Sequence, residues 1–239
     1  MKLLSSLFAL IICVNLANAQ KRLSAEISTK TFDYTTFEAL NVSDDFKVNI
    51  TFAATAKPVV VRANKNLMPY VHVEQDDNTL ILNVKSNNFG SYWTGKEVLE
   101  AEITIPYIKA FNISGDAIVK TNGTLQTSKV SLNVKSDGVF SANLAVDKLM
   151  LNGRSDADIQ LSGEVGTFNA TIKSDTKLKA HNLTVKNLTI NLSGDSDAEI
   201  KVTDTLYATA SGDSYLKYYG NPKVIKEKAT GDSDIRSRG

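Results

Sequence analysis

The sequence predicts an all-β protein: a right-handed parallel β-helix, or β-solenoid-like stack of repeats, joined to an N-terminal sheet-rich capping block. Three observations carry this. A short Ser-Gly-Asp phrase recurs about every 19 residues beyond position 110. Apolar and polar residues alternate between its copies. Gly and Asp crowd into the same half: of 13 Gly only Gly90 and Gly95 precede residue 110, and twelve of the seventeen Asp lie at or after Asp116.

The N-terminus reads as an export signal. Met1-Lys2 is followed by an almost wholly apolar run, Leu3 to Leu16, and then by the small-x-small site Ala17-Asn18-Ala19. These are the charged, apolar and cleavage regions of a secretory signal peptide, which assigns it residues 1–19 with cleavage before Gln20. A membrane span needs about 20 apolar residues, more than this run supplies. Cleavage removes Lys2 and Cys13, so the mature chain carries no cysteine, no disulfide and no thiol nucleophile. It is expected to hold no transmembrane segment and to reside in the periplasm, on the outer-membrane surface or outside the cell. With 42% hydrophobic residues the 239-residue chain can build a packed core. Its 27 Lys and Arg against 26 Asp and Glu lack the basic excess of a nucleic-acid binder.

Residues 20–34 form an N-terminal extension. Residues 35–110 hold the capping block, with strands at 37–42, 46–53, 59–63, 71–74, 79–84 and 100–105 and a hairpin turn at Asp76-Asp77-Asn78. No fixed repeat is visible there, and the block reads as antiparallel hairpins that close the open end of a solenoid. Residues 111–239 hold the repeats, continuous with the block because Ile105-Pro106-Tyr107-Ile108 runs straight into Phe111.

The repeat anchors, taken as the third position of each phrase, are Asp116, Asp137, Arg154, Asp175, Asp195, Asp213 and Asp232, with steps of 21, 17, 21, 20, 18 and 19. Between them Val130-Leu132-Val134, Phe168-Ala170-Ile172 and Leu188-Ile190-Leu192 alternate with polar residues, the period of a strand with one buried face. A 19-residue repeat is too short for a propeller blade and suits one coil of a solenoid; the alternative is an antiparallel meander. Structural turn roles fall to Gly115, Gly153, Gly194, Gly212 and Gly231, which tolerate positive φ. The adjoining Asp116, Asp137, Asp175, Asp195, Asp213 and Asp232 are expected to bond turn backbone.

The ordered segments Ile103 to Ile108, then Asn112-Ile113-Ser114-Gly115-Asp116-Ala117 and the recurrent Ser-Gly-Asp-Ser turns, resemble the GIN-domain family, the adhesin head domain of exported Gram-negative proteins. The resemblance covers roughly residues 35–235. It implies an all-β solenoid fold, an envelope location and no catalytic residues.

No P-loop, dinucleotide fingerprint or His-x-x-x-His pair is present. The expected function is a non-catalytic binding, adhesion-like or structural role, with an envelope or extracellular partner, glycan or protein, and no cofactor or nucleic acid. The alternative is a small carbohydrate-active enzyme, a glycan lyase or hydrolase, which needs two carboxyl groups about 5–9 Å apart. Asp195, Asp213 and Asp232 form a candidate calcium column, because stacked carboxylates repel and a hard cation relieves them. Phe89, Tyr92 and Trp93, in a Gly/Asn-rich loop, form a candidate binding loop; the alternative is that Phe89 and Trp93 plug the core.

Overall fold

The computed structural model describes residues 21–85 and 93–238. The chain runs through β1 (Lys21–Arg22), β2 (Ile27–Phe32), β3 (Ala39–Val42), β4 (Lys47–Phe52), β5 (Lys57–Asn64), a 3-10 turn at Met68–Tyr70, β6 (Val71–Asp76) and β7 (Thr79–Val84). It continues through β8 (Trp93–Thr94), β9 (Leu99–Ile105) and β10 (Ala110–Ile113). Five long strands follow: β11 (Ile118–Lys135), β12 (Val139–Arg154), β13 (Asp158–Lys173), β14 (Lys177–Gly194) and β15 (Asp197–Gly212). β16 (Tyr215–Tyr219), β17 (Lys223–Gly231) and β18 (Asp234–Ser237) end it. The arrangement is a β-solenoid of about seven turns. Among the described residues no helix is long and apolar enough to cross a membrane.

Period-two alternation explains the coil. In β12, Phe140, Ala142, Leu144 and Val146 point inward, the beat breaks at Asp147-Lys148, and Leu149 and Leu151 resume it. Each inward side chain stacks on its counterpart one coil away. Val119, Phe140, Ile159, Leu178, Ala198 and Leu216 form one buried column through parallel registers. Phe111, Leu132, Leu151, Ala170, Ile190 and Ala208 form another. All belong to one continuous core.

The corner before each new coil needs a left-handed residue. Asp44, Gly115, Ser136, Ser155, Ser174, Gly194, Gly212 and Gly231 occupy it, with φ between 59° and 81°. Short polar residues and Gly tolerate this conformation best. The residue two positions on points into the core and is small at most corners: Ala117, Ala157, Thr176, Ser196 and Ser214 are all fully buried, while the Asp44 corner of the N-terminal block buries Phe46 there. At three corners it is this residue, not the Asp before it, that closes the turn through its hydroxyl, whereas Ser196 Oγ is buried without a partner. Thr176 Oγ1 lies 2.9 Å from the carbonyls of both Ser155 and Lys173, which share its one hydrogen. Ser214 Oγ donates to Ser211 O at 3.0 Å, and Ser233 Oγ to Thr230 O at 2.7 Å. The carboxylates of Asp116, Asp137, Asp175, Asp195, Asp213 and Asp232 stand exposed beside these corners.

The register corrects two sequence assignments. Lys135 pairs with Arg154, so Asp156 is the counterpart of Asp137 and the anchor series is Asp throughout. Gly153 is no corner residue: it lies in β12 opposite Val134 and Ile172. A Cβ there would sit 2.7 Å from Thr176 Cγ2 and 3.2 Å from Ile159 Cδ1, so glycine makes room inside the core.

The N-terminal block does hold antiparallel pairs: β2 with β5, β5 with β9, and β6 with β7. It also supplies solenoid coils of its own. β3 lies parallel between β7 and β10, and β4 lies parallel between β9 and β11. The 39–52 coil is therefore sandwiched between one formed by 79–105 and one formed by 110–122, and spatial order departs from chain order. At the far end β17 pairs only with β15 and is exposed throughout.

Candidate functional site

The outward beat of β3, β10, β11 and β12 places Asn41, Asn112, Asn133 and Asn152 in one column. Their amides form a ladder. Asn112 Nδ2 donates to Asn41 Oδ1 at 2.7 Å, Asn133 to Asn112 at 2.9 Å, and Asn152 to Asn133 at 3.0 Å. A carboxamide has two donor hydrogens and two acceptor lone pairs. Asn112 and Asn133 each spend one donor and one acceptor within the ladder, leaving one of each for a ligand. The backbone beneath is already paired on both sides, so this face offers side chains rather than a strand edge.

The ladder floors a groove of about 520 Å³. Five parallel strands, β7, β3, β10, β11 and β12, contribute to it, a length of about 19 Å at the usual strand spacing. Along one side runs a second outward column: Ser43 and Ser114, then Lys135 and Arg154. At the capped end Asn83 Oδ1 is buried without a hydrogen-bond partner. No acidic side chain lines the groove. The signal for this site is present in the sequence as an Asn four residues before the corner Asp, at 41/45, 112/116, 133/137 and 152/156.

The residues singled out from sequence fall elsewhere. Trp93 is half-buried, packs against the core and meets the Tyr70 ring edge-on at 6.2 Å. Phe89 and Tyr92 lie outside the described residues, as does the 1–19 signal segment. Asp195, Asp213 and Asp232 sit at successive corners. Among the described residues no three acidic, His or Cys side chains gather closely enough to hold a metal ion.

A family profile described as "Putative auto-transporter adhesin, head GIN domain" matches residues 36–222. The chain belongs to this family. Several solved structures share this fold. One titled a "putative adhesin", from Bacteroides fragilis, superposes with a TM-score of 0.80 at 18% identity, over 90% of this chain and 99% of that one. Another of that title, from Parabacteroides merdae, gives 0.66 at 22% identity, over 91% and 98%. A "putative lipid binding protein" from Parabacteroides distasonis gives 0.65 at 16%, over 91% and 99%. At these identities the likeness concerns the fold. No curated protein sequence matches the chain. The family description suggests a cell-surface or exported protein and, by name, one that binds rather than catalyses.

Acids of the GIN domain gather where its out-of-order coil meets its neighbours. The ladder sets Asp45 beside Asp116. Burial, then the Asp116 and Asp44 carboxylates, push the Asp45 carboxyl above its usual range, against the pull of Lys47. Burial, then Asp45, does the same to Glu97. A carboxyl raised on folding binds its proton more tightly in the native state. Its contribution therefore favours folding at acid pH and is lost as pH rises from the ordinary carboxylate range through the raised value. Asp45→Asn is expected to raise the melting temperature at pH 7, by the scale of one like-charge contact, about 0.5 kcal/mol. The gain should shrink toward pH 4. Equal gains at both pH values would contradict the assignment.

Proposed function

We propose that this GIN domain is an exported, non-catalytic glycan-binding protein of the cell envelope, and that the asparagine-floored groove is its binding site. The carrying observation is the amide ladder itself. It repeats one donor and one acceptor at about 4.8 Å intervals, the spacing of parallel strands. Paired hydroxyls on a sugar chain accept and donate in the same alternation. The sheet backbone beneath the ladder is saturated, which disfavours an added peptide strand. Ile81 at the capped end offers an apolar surface to a pyranose face. The adhesin names of the family and its structural neighbours support a binding role. The signal-like residues 1–19 support export.

A hydrolase or lyase reading lacks its acids here. Glycoside hydrolysis in most families requires two carboxyl groups flanking the bond, and the groove lining contains none.

The test is a glycan array probed with the mature chain, with Asn133→Ala and Asn152→Ala alongside, and with product analysis on each bound glycan. Each variant is expected to weaken binding about fivefold or more, the worth of one or two neutral hydrogen bonds. Stability should change by no more than about 1 kcal/mol, since both sites lie on the surface. Binding unchanged in both variants would move the site elsewhere, and released product would overturn the non-catalytic reading.

A further inference from the structure

The groove is not electrically neutral, and its charge is placed rather than scattered. In the column beside the amide ladder, Ser43 and Ser114 occupy the first rungs. Lys135, Arg154 and Lys173 then follow on consecutive strands, matched one to one by the β11–β12 and β12–β13 registers. Three cations on adjacent rungs stand about 4.8 Å apart and repel. Among the described residues none of the three forms an ion pair. The face made by the start of each coil is different: there Lys179 meets Asp158 and Lys217 meets Glu199, both at 2.7 Å. The acids that follow the cation column in the chain, Asp137, Asp156 and Asp175, come two residues beyond each strand end, at the corner. They lie outside the groove lining, and none is within ion-pair distance of it.

We infer that the ligand of this groove is an acidic glycan, a sugar chain bearing carboxylates, and that Lys135 and Arg154 set its specificity; the inference rests on the glycan-binding reading above. The ladder and the cation column run parallel along the solenoid axis. A chain lying on Asn112, Asn133 and Asn152 would therefore hold its hydroxyls over the amides and its carboxylates toward Lys135 and Arg154. Arg154 presents a planar fork matched to a carboxylate, and Lys135 a point charge. The serine end of the groove accepts the uncharged part of the same chain. Nucleic acid fits less well, because the lining offers no aromatic ring for stacking.

The experiment measures binding of the mature chain to short oligomers of polygalacturonate, alginate and hyaluronan. Each is paired with its carboxyl-reduced, neutral counterpart, and polyglutamate serves as a polyanion without sugars. At least one acidic oligomer is expected to bind, with its reduced partner weaker by about tenfold or more, the worth of a charge-assisted hydrogen bond. Lys135→Ala and Arg154→Ala should shrink that difference to about twofold or less, with the melting temperature unchanged. If acidic and reduced forms bind equally and Asn133→Ala weakens both, the groove binds glycans but the acidic inference is overturned. If polyglutamate binds as tightly as the best oligomer, the column is a general anion patch and the inference falls as well. If no oligomer of either kind binds, the glycan reading falls with it.

Discussion

Gly163→Ala is expected to lower the melting temperature by about 10 °C, the equivalent of some 3–5 kcal/mol for a chain of this size. Gly163 sits in β13 at φ +99°, where an L side chain is already strained. A Cβ there would lie 2.1 Å from Leu144 O and 2.9 Å from Leu144 N, both backbone atoms of the neighbouring coil. Neither atom can swing aside as a side-chain tip would. The β12–β13 ladder must open locally, and ladder bonds are lost along with the strain. Gly123→Ala is the control. Its φ of +87° is similar, but its nearest neighbour, Phe52 O, is 3.4 Å from the added atom. Only the conformational term applies there, about 1–2 kcal/mol. The measurement is thermal melting of both variants beside wild type. Equal losses would show that the close approach between coils contributes nothing.

Phe140→Ala is expected to cost about 3–5 kcal/mol, with Phe140→Leu below about 1.5 kcal/mol. Phe140 is 1% exposed and tilts against Phe111 with ring centroids 5.0 Å apart. The two rings come from different inward columns, on β12 and β10, in adjacent coils. Truncation would leave a cavity in a core with no second layer to collapse from. Because the buried residues form one cluster, the variant should melt in a single transition at lower temperature. Denaturant unfolding checks both statements. A loss under 1 kcal/mol, or a separate transition for the coils beyond β12, would contradict the continuous core.

The fold was legible wherever chain order and spatial order agree. Steps near 19 residues from Asp116 to Asp232 mark coils, because every coil makes the same corner and reuses the same chemistry. The reading failed at Arg154, because Asn152-Gly153-Arg154 imitates a corner phrase while Gly153 is in truth a core position set by Thr176 and Ile159. It also credited Asp with the bonds that Thr176, Ser214 and Ser233 make, since a turn phrase shows which residues gather but not which atom reaches the carbonyl. In the first half no period was visible. β3 and β7 are neighbours in space yet 40 residues apart in register, Ala39 against Thr79, so no step length repeats. The groove was missed because an Asn on a strand reads as one more outward polar residue. Only the register turns four of them into a ladder.

The placement of the 39–52 coil decides the order in which the molecule can assemble. Its two flanking ladders are supplied by 79–105 and by 110–122, both synthesised later. A nascent chain emerging N-terminus first cannot wind coil upon coil from its beginning. β2 can pair with β5 once residue 64 has emerged, but β3 and β4 find their first partners only in 79–82 and 100–105, and both flanks are filled only when about residue 122 has emerged and the base can close as one cooperative unit. From there growth changes character, since each further 19 residues or so finds a finished template. The base is thus a slow, long-range nucleus and the remainder a fast, local extension.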